Sequence, residues 1–421
     1  MESKRKVGIL NAYDARNRGD RAIVKAQLGW IERTLPGAEV TVFSPHHKFN
    51  KRIFSSETSR APLFGTPRDR NPVEQLLRPA LDWVLHEFGW RNGTSAEAFH
   101  QCHAYFVCGG GYLYSSPSKL PSRQLLLHAA NIRAALKTGK PVLSFPQSWG
   151  PIRKKQDSWI CKHLANLLPV LVTRGQESDK LLASWGVAGK IVSLPDVVIA
   201  AAALLPRVKE WRKSPRRHGS LGIAPVNWNF ERPVSAGEIE AYLDKLVKIS
   251  MTWCATPGRT VTIFPQVEVE GRDDDRLIAR QLAVKLERAG LPGRVEEQLE
   301  WDAYWREIAA QDVFVGCRMH SCIFAMVCGV PTVGLGYQPK FAELFEQLGW
   351  PDRSHLIDQF TADGVSSQLK HLAEHCNREN LQASVDAAGK DLVKALDETW
   401  RTTVEGCKNW ASATRLVPLV C

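Results

Sequence analysis

The stretch Asp312–Tyr337, DVFVGCRMHSCIFAMVCGVPTVGLGY, decides the fold class. An apolar strand, Asp312–Val315, leads in, and a strand-like run, Val330–Tyr337, leads out. Between them lies an apolar stretch of helical length. At the joint of strand and helix stand two polar side chains, Arg318 and His320. A helix start offers N–H donors and partial positive charge. A guanidinium there can hold a carboxylate or phosphate in a fork, and an imidazole beside it can carry a proton. Lys340, in GYQPKFAEL, stands at the next strand–helix junction and adds a cation. These side chains read as an anion pocket; the competing reading is unrelated surface positives in a basic protein.

The same alternation runs outward in both directions. The first half predicts strands at Val7–Ala12, Glu39–Ser44, Tyr105–Cys108, Val142–Pro146, Val170–Arg174 and Ile191–Leu194. The second half predicts Leu221–Pro225, Thr260–Phe264, Arg294–Glu297, Val313–Gly316 and Thr332–Leu335. Helices fall between them, including Arg21–Leu35, Arg123–Leu136, Ala236–Met251 and Arg272–Ala289, and Asn380–Ala411 closes the chain. The pattern predicts two α/β domains with mainly parallel sheets, residues 1–205 and 221–421. The basic, proline-containing stretch PRVKEWRKSPRRHGS, Pro206–Ser220, is the expected linker. Phe49–Gly89, rich in Arg, Pro and Phe, is weakly periodic and reads as a loop or inserted helical segment.

Length agrees: 421 residues exceed one core and suit about two domains. Apolar content of 44% with 24% charged residues excludes a disordered chain. Net charge of +11 suits anionic partners, among them phosphorylated small molecules, lipid-linked phosphates or an anionic membrane surface. Nucleic acid is disfavoured because aromatic and basic residues do not interleave. The ten cysteines form no C-x-x-C pair, which argues against zinc and a disulfide framework and for a reducing, cytoplasmic setting. The apolar run behind the basic start is too short for a signal peptide, and no stretch reads as a transmembrane span. Trp149, Trp228 and Trp301 flank loops, where aromatic faces hold sugars or simply pack.

Parallel sheets bind ligands at the carboxyl ends of their strands, so the residues after each strand are the candidates. Asn17, Gly19 and Asp20 follow the first; the turn could present N–H groups to an anion, or Asp20 could cap the helix. Gly109, Gly110 and Gly111 follow YFVC and allow close approach of backbone to a ligand, or a tight turn. They match neither a dinucleotide fingerprint nor a Walker loop. Gln147 and Gln266 end two Phe-Pro-Gln strand ends, one per half, and offer amide hydrogen bonds. Arg174 ends another strand, and Asp196 reads as a helix cap. The D-x-D within RDDDR, Arg272–Arg276, is explained by acidic residues at a helix start.

Taken in order, NRGDRAI, VCGGGYLYSS, SFPQSWGPI, TRGQESDKLLASWGV, LPDVV and GCRMHSCIFAMVCGVPTVGLGYQPKFAELFEQLG resemble the polysaccharide pyruvyl transferase family, over Gly8 to about Gly349. The resemblance implies two Rossmann-like domains facing across a cleft, as in GT-B enzymes. It implies transfer of pyruvate from phosphoenolpyruvate to two sugar hydroxyls as a cyclic ketal with release of phosphate. Arg174, Arg318, His320 and Lys340 are the residues it carries over, with His320 as proton donor, Arg318 and Arg174 holding the anionic donor, and Lys340 offsetting charge on the leaving phosphate. The partners expected are phosphoenolpyruvate as co-substrate and a sugar or lipid-linked saccharide, with no cofactor, no metal and no nucleic acid. The setting expected is the cytoplasm at the inner face of the membrane, with peripheral association. The alternative is a GT-B glycosyltransferase using a nucleotide sugar.

Overall fold

The structure, a computed structural model, describes residues 5–54, 59–60, 94–116, 122–269, 274–291 and 293–407. Most of the Phe49–Gly89 stretch, Arg272 and Asp273 lie outside these residues. The chain divides into two compact units. One comprises Met1–Ala15, Asp20–Val197 and Leu392–Cys421; the other comprises Arg16–Gly19 and Val198–Asp391.

Among the described residues, the first unit holds strands β1 (Lys6–Leu10), β2 (Glu39–Phe43), β3 (Ser59–Arg60), β4 (Ala104–Val107), β5 (Gly110–Leu113), β6 (Val142–Ser144), β7 (Gln147–Trp149), β8 (Val170–Thr173) and β9 (Lys190–Ser193). They form two sheets, ordered β3-β2-β1-β4-β6 and β5-β7-β8-β9, and every pairing is parallel. The central strands are continuous apolar runs, AYFV in β4 and VLVT in β8, as expected of sheets covered on both faces. The long helix Arg18–Thr34 buries Trp30, which meets Phe106, Phe145 and Trp400 edge-on.

Two places join the sheets directly. From β4 the chain passes through Cys108 and Gly109 into β5; from β6 it passes through Phe145 and Pro146 into β7. The crossings touch: Gly110 N–H donates to Pro146 O at 3.1 Å. A Cβ on Gly109 would stand 2.8 Å from that same oxygen, and Gly110 has φ +118°. The glycines read as a loop are therefore a backbone crossing that continues as a strand. The Phe-Pro-Gln end of β6 likewise runs on as β7.

Among the described residues, the second unit holds β10 (Ser220–Ala224), β11 (Thr260–Ile263), β12 (Arg294–Val295), β13 (Val313–Gly316), β14 (Thr332–Gly336) and β15 (Ser354–Leu356). Their order is β12-β11-β10-β13-β14-β15, all parallel. This is the strand order of a dinucleotide-binding Rossmann sheet. Leu221, Ile223, Val261, Ile263, Val313 and Val315 supply its core, with Leu243, Leu246, Ile278 and Leu282 from the covering helices.

The strands lie where the apolar runs place them, with ends shifted by a residue or two. The division of the chain differs from the expected one. The stretch Pro206–Ser220 lies inside the second unit, whose boundary falls between Val197 and Val198, and Leu392 onward joins the first unit. Trp211 is buried and stacks on Trp305 at 4.8 Å. Arg212 pairs with Asp386 at 2.7 Å, and Arg217 with Glu307 at 2.6 Å. Composition marks the stretch as a linker, but its cations and its indole find partners far along the chain. Trp149, Trp228 and Trp301 are likewise buried, so packing is their role here. No helix among the described residues is long and apolar enough to cross a membrane.

Candidate active site

In the second unit the strand order reverses between β10 and β13, where an open parallel sheet leaves a crevice at its carboxyl edge. Arg318 directly precedes the helix Met319–Val327, which is buried everywhere except at His320. The apolar helix thus anchors the turn in the core. Arg318 is itself buried, and Asp275 clasps it. Nε lies 3.2 and 3.1 Å from the two carboxylate oxygens, and Nη2 lies 2.8 Å from Oδ1. Asp275 also accepts the Val267 N–H at 2.9 Å. A buried guanidinium without a counter-charge is costly, and Asp275 compensates it. The sequence reading gives that fork to a substrate anion; its Nε–Nη2 edge instead serves Asp275.

His320 is partly exposed and lies against Gly19. A Cβ on Gly19 would stand 2.4 Å from Nδ1 and 2.7 Å from Cγ of the ring. Only a glycine leaves room for this imidazole. Asn17 accepts the Gly19 N–H at 2.9 Å, so Asn17, rather than Asp20, caps the helix. That bond uses one of the donors expected to face an anion. Asn17 also bridges to Val267 in antiparallel fashion. Arg18 between them donates to Pro265 O at 3.2 Å and Leu299 O at 3.1 Å, pairs with Glu268 at 3.1 Å and lies 4.3 Å over the Tyr304 ring. Gln266 is buried, its carbonyl takes the Arg18 N–H, and its Oε1 has no hydrogen-bond partner. Lys340 opens the helix Lys340–Gln347 after β14, the strand paired with β13. Asn17, Gly19, Gln266, Arg318, His320 and Lys340 thus belong to one unit.

The first unit holds the other candidates. Arg174, at the end of β8, is buried and ion-paired to buried Asp196. Its Nε donates to Ser148 Oγ at 3.2 Å, and its backbone N–H donates to Gln147 O at 3.0 Å. A Cβ on Gly111 would lie 3.5 Å from its Nη2, an ordinary contact. Asp20 accepts the Tyr112 hydroxyl at 2.9 Å. Burial pushes the Tyr112 hydroxyl well above its ordinary range, and the charge of Asp20 adds to the shift, so this group stays a donor. The Tyr112 ring stacks on Tyr13 at 5.4 Å and faces His128 at 5.8 Å. Gln147 is buried, and its Nε2 has no hydrogen-bond partner.

The profile of the family described as polysaccharide pyruvyl transferase matches residues 17–339. The chain belongs to that family. The match includes Asn17, Gly19, Asp20, Gly109–Gly111, Gln147, Arg174, Gln266, Arg318 and His320; Lys340 follows its last residue. The transferase is similar in fold to UDP-N-acetylglucosamine 2-epimerase from Rickettsia bellii, with 10% identity, TM-score 0.58 and coverage of 98% of this chain and 99% of that one. It is also similar to the Neisseria meningitidis UDP-GlcNAc 2-epimerase bound to UDP-GlcNAc (11% identity, TM-score 0.53, 93% and 99% covered). A third likeness is Glycyrrhiza uralensis UGT73P12 complexed with glycyrrhetinic acid 3-O-monoglucuronide (10% identity, TM-score 0.51, 98% and 97% covered). The transferase therefore has two Rossmann-like units and a GT-B-type fold.

Sequence reasoning missed Asp275, Tyr112, Arg18 and His128. Asp275 was visible only as part of D-x-D at a helix start. Asp274 does cap that helix, accepting the Arg276 N–H at 3.0 Å, while Asp275 turns inward to Arg318. Asp196, read as a cap, is the counter-ion of Arg174. These pairings join residues remote in sequence and leave no local signal.

Proposed function

We propose that the transferase moves the pyruvyl group of phosphoenolpyruvate onto two hydroxyls of one sugar, forming a cyclic ketal and releasing phosphate. The observation that carries this reading is His320, a protonatable side chain on an anchored turn at the switch point of the second sheet, beside Arg318 and one strand from Lys340. In the reaction C3 of the enol takes a proton and C2 gains cationic character. A sugar hydroxyl oxygen bonds to C2, the bond from C2 to the phosphate oxygen breaks, and the second hydroxyl oxygen closes the ring. Two hydroxyl protons are lost; one equivalent ends in the new methyl group and one on the departing phosphate.

His320 is the acid in this scheme. Lys340 and the N–H groups opening the helix Met319–Val327 offset the phosphate charge. Arg318, held by Asp275, fixes the turn and lends its charge to the donor. Arg174, in the first unit, stays assigned to a substrate anion. The acceptor is a sugar or lipid-linked saccharide, and the scheme calls on no cofactor.

Phosphate release from phosphoenolpyruvate across a panel of sugar acceptors tests this reading. His320→Ala should lower turnover by about 10²-fold or more while leaving phosphoenolpyruvate binding and the melting temperature near wild type. Turnover of a nucleotide sugar in place of phosphoenolpyruvate would make the protein a glycosyltransferase. Normal turnover by His320→Ala, or a much lower melting temperature, would make the histidine structural.

A further inference from the structure

The helix Lys155–Leu167 in the first unit carries a surface that the transfer reaction does not use. Its inner face is committed: Asp157, Cys161, Leu164 and Ala165 are buried, and Asp157 accepts both the N–H and the hydroxyl of Ser122, at 2.9 and 2.6 Å. Its outer face shows Lys155, Trp159, Lys162, His163 and Asn166, at helical spacings that keep them on one side. Trp159 is 70% exposed, and Leu167 at the end of the same side is 40% exposed. His163 stacks on the indole with ring centroids 5.7 Å apart and planes 8° from parallel. The indole is thus supported in an outward position rather than folded onto the surface.

The exposed charge along this helix has one sign. Asp157 is the acidic residue of RKKQDSWICKHLANL, Arg153–Leu167, and it is buried. Lys155 and Lys162, on either side of Trp159, form no ion pair among the described residues. A single exposed aromatic needs no explanation by itself. An indole flanked by cations, with no carboxylate on the same face, has the chemistry of a helix lying in a bilayer interface. There the ring sits at the boundary of headgroups and acyl chains, and the ammonium groups meet lipid phosphates. We infer that this helix face docks the protein on an anionic lipid surface, Trp159 as the apolar anchor and Lys155 and Lys162 as its electrostatic contacts. The net charge of +11 acts in the same direction. The inference does not depend on the donor chemistry.

Sedimentation of the full chain with vesicles tests it. Wild type should pellet with phosphatidylcholine vesicles containing phosphatidylglycerol and stay in solution with phosphatidylcholine alone, and added salt should release it. Trp159→Ala should weaken the partition by about tenfold, and Lys155→Gln with Lys162→Gln by about thirtyfold. Because these side chains are exposed, the melting temperature and the turnover of a water-soluble acceptor should not change. Quenching by brominated lipid should be seen in wild type and lost in Trp159→Phe. No pelleting of wild type, equal pelleting of wild type and variants, or quenching that survives Trp159→Phe overturns the inference. So does a face that captures duplex DNA equally well and releases vesicles to it, which would make it a general polyanion site.

Discussion

Gly19→Ala is the smallest change that should disable His320 without touching it. The added Cβ would stand 2.4 Å from Nδ1 and 2.7 Å from Cγ, whereas ordinary contact begins at 3.4 Å. The ring must therefore retreat by about 1 Å, or the Asn17–Gly19 segment must lift from Val267 and Gln266. A displacement of about 1 Å at a reacting group can lower turnover by about 10²-fold. The folding cost is smaller, about 1–3 kcal/mol for an overpacked contact, partly offset by about 0.5–1 kcal/mol from alanine in a helix. Gly237→Ala is the control. It lies at a matching place near the start of the helix Ala236–Cys254, and a Cβ there meets nothing within 4 Å. Phosphate release, phosphoenolpyruvate binding and thermal melting would be measured for both. Gly19→Ala should fall towards the turnover of His320→Ala, Gly237→Ala should match wild type, and Gly19→Ala placed on His320→Ala should add little, since both act through one ring. Wild-type turnover in Gly19→Ala refutes the reasoning, as does a full additional loss in the double variant.

Asp275→Ala leaves the buried Arg318 guanidinium without its counter-charge and should cost about 3–5 kcal/mol, seen as a lower urea midpoint; adding Arg318→Met should recover part of it, and a loss under about 1 kcal/mol would show the pair to be dispensable. His128 is buried, neither ring nitrogen has a hydrogen-bond partner, and burial lowers its pKa from 6.5 to about 4. The unfolded chain then binds a proton below about pH 6.5 that the folded chain refuses until about pH 4. Stability contributed by this site is unchanged above 6.5 and is lost as pH falls between those values, by about 3 kcal/mol. His128→Leu should flatten that part of the acid limb in a stability-against-pH series, and an unchanged slope would place the loss elsewhere.

The sequence alone determined the alternation of strands and helices, because continuous apolar runs and helical periodicity are local properties of the chain. It also determined which strand ends carry polar chemistry: Arg174, Arg318, His320 and Lys340 each follow or open an element that the pattern predicts. The strands β3, β5, β7 and β15 escaped it. They are short, and β5 and β7 begin where glycine or proline reads as an end, although the backbone crossing at Gly109 and Pro146 makes those residues the start of a second sheet. Only the tertiary structure decided the order of the strands, the placement of Pro206–Ser220 inside the second unit, and the counter-ions of the two candidate arginines. It alone showed that the glycine of NRGD serves as the surface on which His320 rests. The physical reason is the same in each case. Burial of a charge and close contact of a ring with a backbone depend on groups tens to hundreds of residues apart in the chain, and a local pattern carries no record of which distant group will fill the space.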